Sequence, residues 1–217
     1  MKKIIFLSLL LVWVTVAYGQ IPMPDSADIV VRHKYYWINY NPSCNVALYT
    51  FYKSYRTRLE KNFLERGDWF KRDPLIEGGT PKITFVPYDR GHLVPFEDMS
   101  WDTVAGKETF YMSNMVPQVS SLNKGLWSKL EKYARELTMK YDSTYITTGA
   151  IFDNEARNTI KSVCIPSKVY KIIYYYVNKK WKSECFLISN GKPASTNLLS
   201  YKINLSQLAD VAGIKIK

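Results

Sequence analysis

The segment from Asn123 to about Tyr141 constrains the fold of this chain more than any other. Leu126, Trp127, Leu130, Tyr133, Ala134 and Leu137 recur at spacings of three and four with charged residues in the gaps, so they line one side of a helix. An apolar stripe of that width has to be buried against another element. Much of the remaining chain has strand character. Ile29 to Tyr52 is β-branched and aromatic, broken by turn residues from Asn39 to Asn45, and predicts two or three strands. Phe85 to Tyr88, Ser143 to Phe152, Ile160 to Ile165, Val169 to Val177 and Trp181 to Ile188 read as further strands, the last two joined as a hairpin across Asn178-Lys179-Lys180. One strongly amphipathic helix among many strands predicts an α+β fold with a mixed, mainly antiparallel sheet.

Shorter helices are expected at Ser54 to Phe63, at Trp101 to Phe110, and from Asn204 to Gly213, where Gln207 follows the capping asparagine by three residues. Glu65 to Thr84 holds Asp73-Pro74 and Gly78-Gly79-Thr80-Pro81 and reads as the longest loop, basic around Arg66, Lys71 and Arg72. A loop of that length is more often a binding element than a random insertion. Ser113 to Leu122 reads as a polar loop, because Pro117 opposes a helix through it.

At the N-terminus, Lys2 and Lys3 precede an apolar run from Ile4 to Val16 and the sequence Ala17-Tyr18-Gly19, the anatomy of a secretory signal peptide over residues 1–19 cleaved before Gln20. The apolar run falls short of the roughly 20 residues a bilayer-spanning helix needs, so no stable membrane anchor is expected after cleavage. That predicts an exported protein, periplasmic or extracellular, with residues 20–217 as one domain with a real core. With Lys2 and Lys3 removed the formal charge falls from +11 to +9, an excess that favours a polyanionic partner through counterion release. Three cysteines are too few for a disulfide scaffold, but export permits one bridge, and Cys164 with Cys185, about a hairpin apart, is the expected pair. No CxxC or Cys/His cluster points to structural zinc.

The chain has two histidines. His33 lies between Arg32 and Lys34 among aromatics, with no carboxylate or amide cluster near it in sequence, and reads as structural. His92 lies in Tyr88-Asp89-Arg90-Gly91-His92-Leu93-Val94-Pro95, and a second stretch, Ser113 to Glu131, supplies Asn114, Asn123 and Glu131 as oxygen donors of the kind a hard divalent cation prefers. Cleaving a phosphodiester needs an activated water, neutralisation of charge on the phosphorus oxygens and stabilisation of the leaving oxygen. An imidazole ordinarily titrates near neutrality, so His92 suits the general base. Asn123 offers a neutral oxygen to Mg²⁺, which keeps several waters and takes few protein ligands. Glu131 lies two turns on, about 80° around the helix axis from Asn123 on a 3.6-residue period, and suits a role at one remove from the ion. Arg90 carries the forked donors that match a phosphate. Taken singly, each residue has a plainer reading: a surface ion pair for Asp89 and Arg90, a turn for Asn114, a helix cap for Asn123, a solvated face for Glu131.

Together, Asp89-Arg90-Gly91-His92-Leu93-Val94-Pro95, Ser113-Asn114-Met115-Val116-Pro117-Gln118 and Asn123-Lys124-Gly125-Leu126-Trp127 with Leu130-Glu131 resemble the signature of the DNA/RNA non-specific endonucleases of the ββα-metal, or His-Me finger, group. The resemblance is carried by residues 89–131 and, more weakly, by Ile29 to Asn41 and Arg66 to Pro74. It implies a ββα-metal catalytic core, His92 as general base, Asn123 as direct metal ligand, Glu131 as a metal partner through water, and Arg90 and Asn114 near the phosphate or supporting the base. It also implies a phosphate contact from an arginine of the preceding loop, for which Arg66 is the best match and Arg72 the alternative. Mg²⁺ or Mn²⁺ as cofactor, DNA and RNA as substrates, and 5′-phosphate products follow from the same resemblance. Two other functions fit the composition: an inactive nucleic-acid-binding module that reads phosphates through its lysines and arginines, and a phosphodiesterase for small nucleotides. The sequence does not fix oligomeric state or DNA against RNA preference.

Overall fold

The helix predicted from its apolar stripe sets the layering of the molecule. The computed structural model describes residues 24–25, 29–61, 63–153 and 159–216, so the expected signal segment lies outside the described residues. In chain order the strands are β1 (Pro24–Asp25), β2 (Ile29–Arg32), β3 (Tyr36–Asn41), β4 (Val46–Tyr55), β5 (Asp89–His92), β6 (Met115–Gln118), β7 (Ser143–Ile151), β8 (Thr159–Ile160), β9 (Val163–Cys164), β10 (Lys168–Val177), β11 (Lys180–Ser189), β12 (Lys202–Ile203) and β13 (Lys215–Ile216). The α-helices are α1 (Arg56–Leu59), α2 (Thr103–Glu108), α3 (Ser128–Tyr141) and α4 (Leu205–Ala212). Seven strands form one antiparallel sheet in the order β12-β11-β10-β7-β4-β3-β2.

Side chains alternate across a strand, and here the alternation divides the interior in two. Tyr36, Ile38, Tyr52, Ile146 and Ile173 join Leu130, Ala134 and Leu137 of α3 in one core, while Tyr49, Tyr170, Ile172 and Tyr174 gather on the opposite side around Leu208 of α4. The helix ahead of α3 opens into a wider π turn over Leu122–Trp127, which buries Leu122, Leu126 and Trp127. Asn123 therefore sits inside a helical run, its amide bonded back to the Val119 carbonyl at 2.9 Å, and does not cap it. At the other end of the chain, Asn204 caps α4 by accepting from the Gln207 amide at 2.8 Å, and Gly213 closes it in the left-handed conformation, as its sequence predicts.

Four expectations need correction. Phe85 to Tyr88 forms a turn, closed by a 2.6 Å bond from the Tyr88 amide to the Phe85 carbonyl across a cis Val86–Pro87 peptide, and the strand begins at Asp89. Pro87 has no amide to give a ladder. The loop expected over Ser113 to Leu122 contains β6, paired antiparallel to β5 with Pro117 opposite Arg90. Proline excludes a helix there but is tolerated in a strand with a free edge. The helix expected from Ser54 to Phe63 contracts to α1, because β4 continues to Tyr55. Ile160 to Ile165 yields only the two-residue strands β8 and β9 around a turn at Lys161 and Ser162, both at positive φ.

The expected Cys164–Cys185 bridge is also wrong. Cys44 pairs with Cys164 across 120 residues of sequence, and Cys185 is free and buried. Cys164 and Cys44 belong to the α3-side core, whereas Cys185 belongs to the core on the far face of the sheet. Spacing along the chain could not show that a sheet separates them. Among the described residues no helix is long and apolar enough to cross a membrane.

Closing a loop of 120 residues removes much of the unfolded chain's freedom. Replacing both Cys44 and Cys164 by serine is expected to lower the unfolding free energy by about 2–5 kcal/mol in urea titrations. Dithiothreitol should produce the same loss in wild type and in Cys185→Ala, and no further loss in the double variant. A reductant effect that vanished with Cys185→Ala would mean that Cys185 is bridged instead.

Candidate active site

β5 and β6 form a hairpin in which Asp89 faces Gln118, Gly91 faces Val116 and His92 faces Met115. The Gln118 side chain lies over Gly91, where an added Cβ would come within 2.8 Å of Gln118 Cβ, so any larger residue would have to displace it. The hairpin delivers His92 into an aromatic corner. Its ring meets Phe110 edge-on at a centroid distance of 4.9 Å and Phe70 at 5.9 Å, and Trp127 Nε1 donates to the His92 carbonyl at 3.4 Å. His92 is only 7% exposed, and its Nε2 has no hydrogen-bond partner. Burial, aided by the positive charges of Arg66 and Arg90, lowers its pKa to about 3. At neutral pH the imidazole is therefore uncharged, the form in which it accepts a proton.

A cleft of about 420 Å³ opens beside this ring, lined among others by Arg66, His92, Glu97, Asn123, Glu131 and Arg135. The histidine of the hairpin and the asparagine of the helix thus share one cavity. Asn123 Nδ2 donates to Asp89 Oδ2 at 3.1 Å, which commits the amide nitrogen and leaves the carbonyl oxygen as the group offered elsewhere. Lys124 Nζ lies 3.6 Å from the same Asp89 oxygen. Burial raises the Glu131 carboxyl above its ordinary range, with Lys171 opposing and the like charges of Asp98 and Glu97 adding to the rise. Lys171 is fully buried, donates to Thr148 Oγ1 at 2.6 Å and lies 5.1 Å from the Trp127 ring centroid. Asp98, also buried, accepts from Arg135 at 3.0 Å and from the Tyr52 hydroxyl at 2.6 Å.

Residues 17–217 match the DNA/RNA non-specific endonuclease family. The chain belongs to that family. Nuclease C1 of Cunninghamella echinulata var. echinulata is 28% identical over 88% of this chain and 83% of its own length. Human mitochondrial endonuclease G is 29% identical over 70% of this chain, which spans 56% of that protein. The fold matches a crystal structure of EndoG in complex with EndoGI, with a TM-score of 0.75 and 23% identity over 89% of this chain and 86% of that one. The protein is accordingly a nuclease, a hydrolase acting on nucleic acid.

The nuclease's other candidate residues fall in different places. Arg66 reaches the cleft from the long loop, 5.4 Å from the Phe110 ring centroid and 3.5 Å from Glu97. Arg72, the sequence's alternative, lies along Gly79 and does not line the cleft. Arg90 stands on the Phe70 ring at 3.4 Å and 3.8 Å from Asp68 at its rim, close enough for its charge to act on His92 without lining the cavity itself. Asn114 is not in the cleft. It is fully buried, accepts from the Val94 amide at 2.9 Å, and donates to the Val94 and Thr109 carbonyls at 3.0 and 2.8 Å. It pins the chain just beyond His92 and touches no open space.

His33 is buried as expected, but it has a carboxylate partner after all, Asp73 at 2.9 Å. Although burial alone would raise it, hydrogen bonds from His33 and Ser113 hold the Asp73 carboxyl below its usual range. Asp73 also accepts from the Leu75 amide, and its own amide donates to Thr80, each at 2.9 Å. This buried knot clamps the loop that presents Arg66 and Phe70. Phe70, Phe110, Arg135 and Lys171 join the site through tertiary packing. Of these only Arg135 carried a sequence signal, four residues beyond Glu131 on the same helix face.

Asn114→Ala would leave two carbonyls and one amide of the backbone unpaired and is expected to lower stability by about 3 kcal/mol or more. A variant as stable as wild type in urea would remove Asn114 from its pinning role. The buried His92 makes a second prediction. Its folded pKa of about 3 lies below the ordinary 6.5, so between those values the unfolded chain binds the extra proton and stability falls as the pH drops. From pH 7 to pH 5, wild type should lose about 2 kcal/mol more than His92→Gln. Equal losses in the two proteins would contradict a buried, neutral imidazole.

Proposed function

We propose that this nuclease is an exported, sugar non-specific endonuclease that hydrolyses DNA and RNA with one divalent metal ion, Mg²⁺ or Mn²⁺, leaving 5′-phosphates. The observation that carries the reading is the shared cleft: the His92 imidazole, its Nε2 without a hydrogen-bond partner, on one wall and the Asn123 amide, turned by Asp89, on the other. The donor set fits such an ion. The amide oxygen of Asn123, left free by the bond from its nitrogen to Asp89, suits a cation that retains most of its waters and accepts a single neutral oxygen. Asn123 would hold it directly and Glu131 through water. When bound, the ion supplies neutralisation of the phosphate and of the leaving oxygen.

The chain's own residues do the rest. His92 takes a proton from the attacking water, and the aromatic wall of Phe70 and Phe110 keeps its ring neutral until that moment. Arg66 holds the scissile phosphate, and Arg90, steadied on the Phe70 face beside the cleft, adds its positive charge near it. Asp89 fixes the Asn123 amide, and Asn114 fixes the chain after His92, so both are positioning residues. A site that grips phosphate and water touches no base edge, which accounts for cleavage without sequence preference. Export rests on the signal-like segment Lys2 to Gly19, with residues 20–217 as one mature domain, and nutrient scavenging or clearance of external nucleic acid is the corresponding role.

A plasmid-nicking assay tests the reading. Wild type should cleave DNA and RNA with Mg²⁺ or Mn²⁺ and stop in EDTA, while His92→Ala should fall to below about a hundredth of wild-type activity with DNA binding unchanged. Wild type that leaves both polymers intact under these conditions is a binding module, and one that cleaves only a model diester is a small-molecule phosphodiesterase. Asp89→Ala should raise the metal concentration needed for half-maximal activity by about tenfold, the usual consequence of losing a group that orients a metal ligand. An unchanged metal titration would remove Asp89 from that role.

A further inference from the structure

The face of the sheet turned away from the cleft is only partly covered. α4 places Leu208 over Tyr49, Tyr170, Ile172 and Tyr174. Beyond it the same face continues as a row of side chains running from one strand to the next. Arg32 of β2 lies 4.9 Å from the ring centroid of Trp37 on β3, and Trp37 is 6.0 Å from Phe51 on β4. Phe51 stacks on Tyr145 of β7 at 5.8 Å with 20° between the planes, Tyr145 meets Trp181 of β11 at 5.7 Å, and Trp181 meets Tyr176 of β10 at 5.3 Å. Lys53 adds a cation 4.7 Å from the Tyr145 centroid and 4.6 Å from that of Tyr55. Trp37 and Tyr176 are 36% and 53% exposed.

Tyr145 and Trp181 pack against the edge of the α4-side core, and from there the row runs out to the exposed Trp37 and Tyr176. Its charges are cations set on ring faces, and among the described residues neither Arg32 nor Lys53 forms a salt bridge with a carboxylate. Two such faces would repel, which disfavours a second copy as occupant. Stacked rings with interleaved, unneutralised cations match a ligand that offers flat bases and a negatively charged backbone. A duplex hides its base faces, so the match is to a single strand. Crossing from β2 to β11 traverses five strand spacings, about 24 Å, room for a short run of nucleotides.

We propose that this aromatic and cationic row is a second, non-catalytic nucleic-acid-binding face that takes single-stranded DNA or RNA on the side of the sheet opposite the cleft. It holds strand that the cleft is not cutting, and it stands independently of the catalytic reading, because no residue of the row lines the cleft.

The test uses full-length protein carrying His92→Ala and Arg66→Ala, in EDTA, with fluorescein-labelled dT20 and a 20-base-pair duplex as probes in anisotropy titrations. Adding Trp37→Ala and Trp181→Ala should weaken dT20 binding about tenfold or more, the usual worth of a stacking ring, while changing duplex binding less than twofold. Arg32→Glu with Lys53→Glu, at an exposed and a half-buried position, leaves every ring of the row in place, should also abolish the preference for dT20, and guards against misfolding of the tryptophan variants. Circular dichroism confirms the fold of each. Unchanged dT20 affinity in both variants overturns the proposal, as does an equal loss for duplex and single strand. A dimer in sedimentation that only the row variants dissolve would assign the face to a second copy and overturn it too. None of these arms needs cleavage, so loss of the nuclease reading would leave them readable.

Discussion

The hydrogen bond from Asn123 Nδ2 to Asp89 Oδ2 joins the two halves of the site. One half is the β5–β6 hairpin, which carries His92, and the other is the helical run that ends in α3, which carries Asn123 and Glu131. Neither half makes a cleft alone. The wide turn over Leu122–Trp127 lets Asn123 face the hairpin while Leu126 and Trp127 remain buried, and Trp127 reaches back to the His92 carbonyl. A π turn inserted in a helix at a functional site is a recurring solution to such a demand. Here it reconciles a buried stripe with an amide aimed at open space.

The electrostatics follow from the same packing. Keeping His92 dry and next to two arginines holds its ring neutral and disfavours its protonation. Against α3, the buried Asp98 and Lys171 gather with the half-buried Glu131 and Arg135 of the helix itself. Such groups cost free energy to desolvate, and their hydrogen bonds to Tyr52 and Thr148 offset only part of it. Two of the four, Glu131 and Arg135, line the cleft itself.

Much of the site was legible because its chemistry is local in sequence. His92, Asn123 and Glu131 are named by residue type, order and helical period, and the structure puts all three in one cleft. Asn114 sits in the same signature yet proved to be a buried brace, since a motif records that an amide is needed without recording what it bonds. The choice between Arg66 and Arg72 was closed to sequence because both lie in one irregular loop, whose course is set by the His33–Asp73–Ser113 knot 40 residues away on either side. Strand β6 was missed for a related reason: Pro117 argues against a helix but is silent about an edge strand, whose pairing is decided by its partner.

By itself the sequence determined the amphipathic helix, the principal strands, the α+β class and the residues able to move a proton or hold a hard cation, because these depend on side-chain period and intrinsic chemistry. Only the tertiary structure decided which cysteine meets Cys164, that the His92 ring is neutral, that Asp89 steers Asn123, and that cationic and aromatic residues from six strands line up on one open face. The physical reason is common to all four. Burial, field and register are properties of residues far apart in the chain, and they come into being when the sheet closes between the two cores.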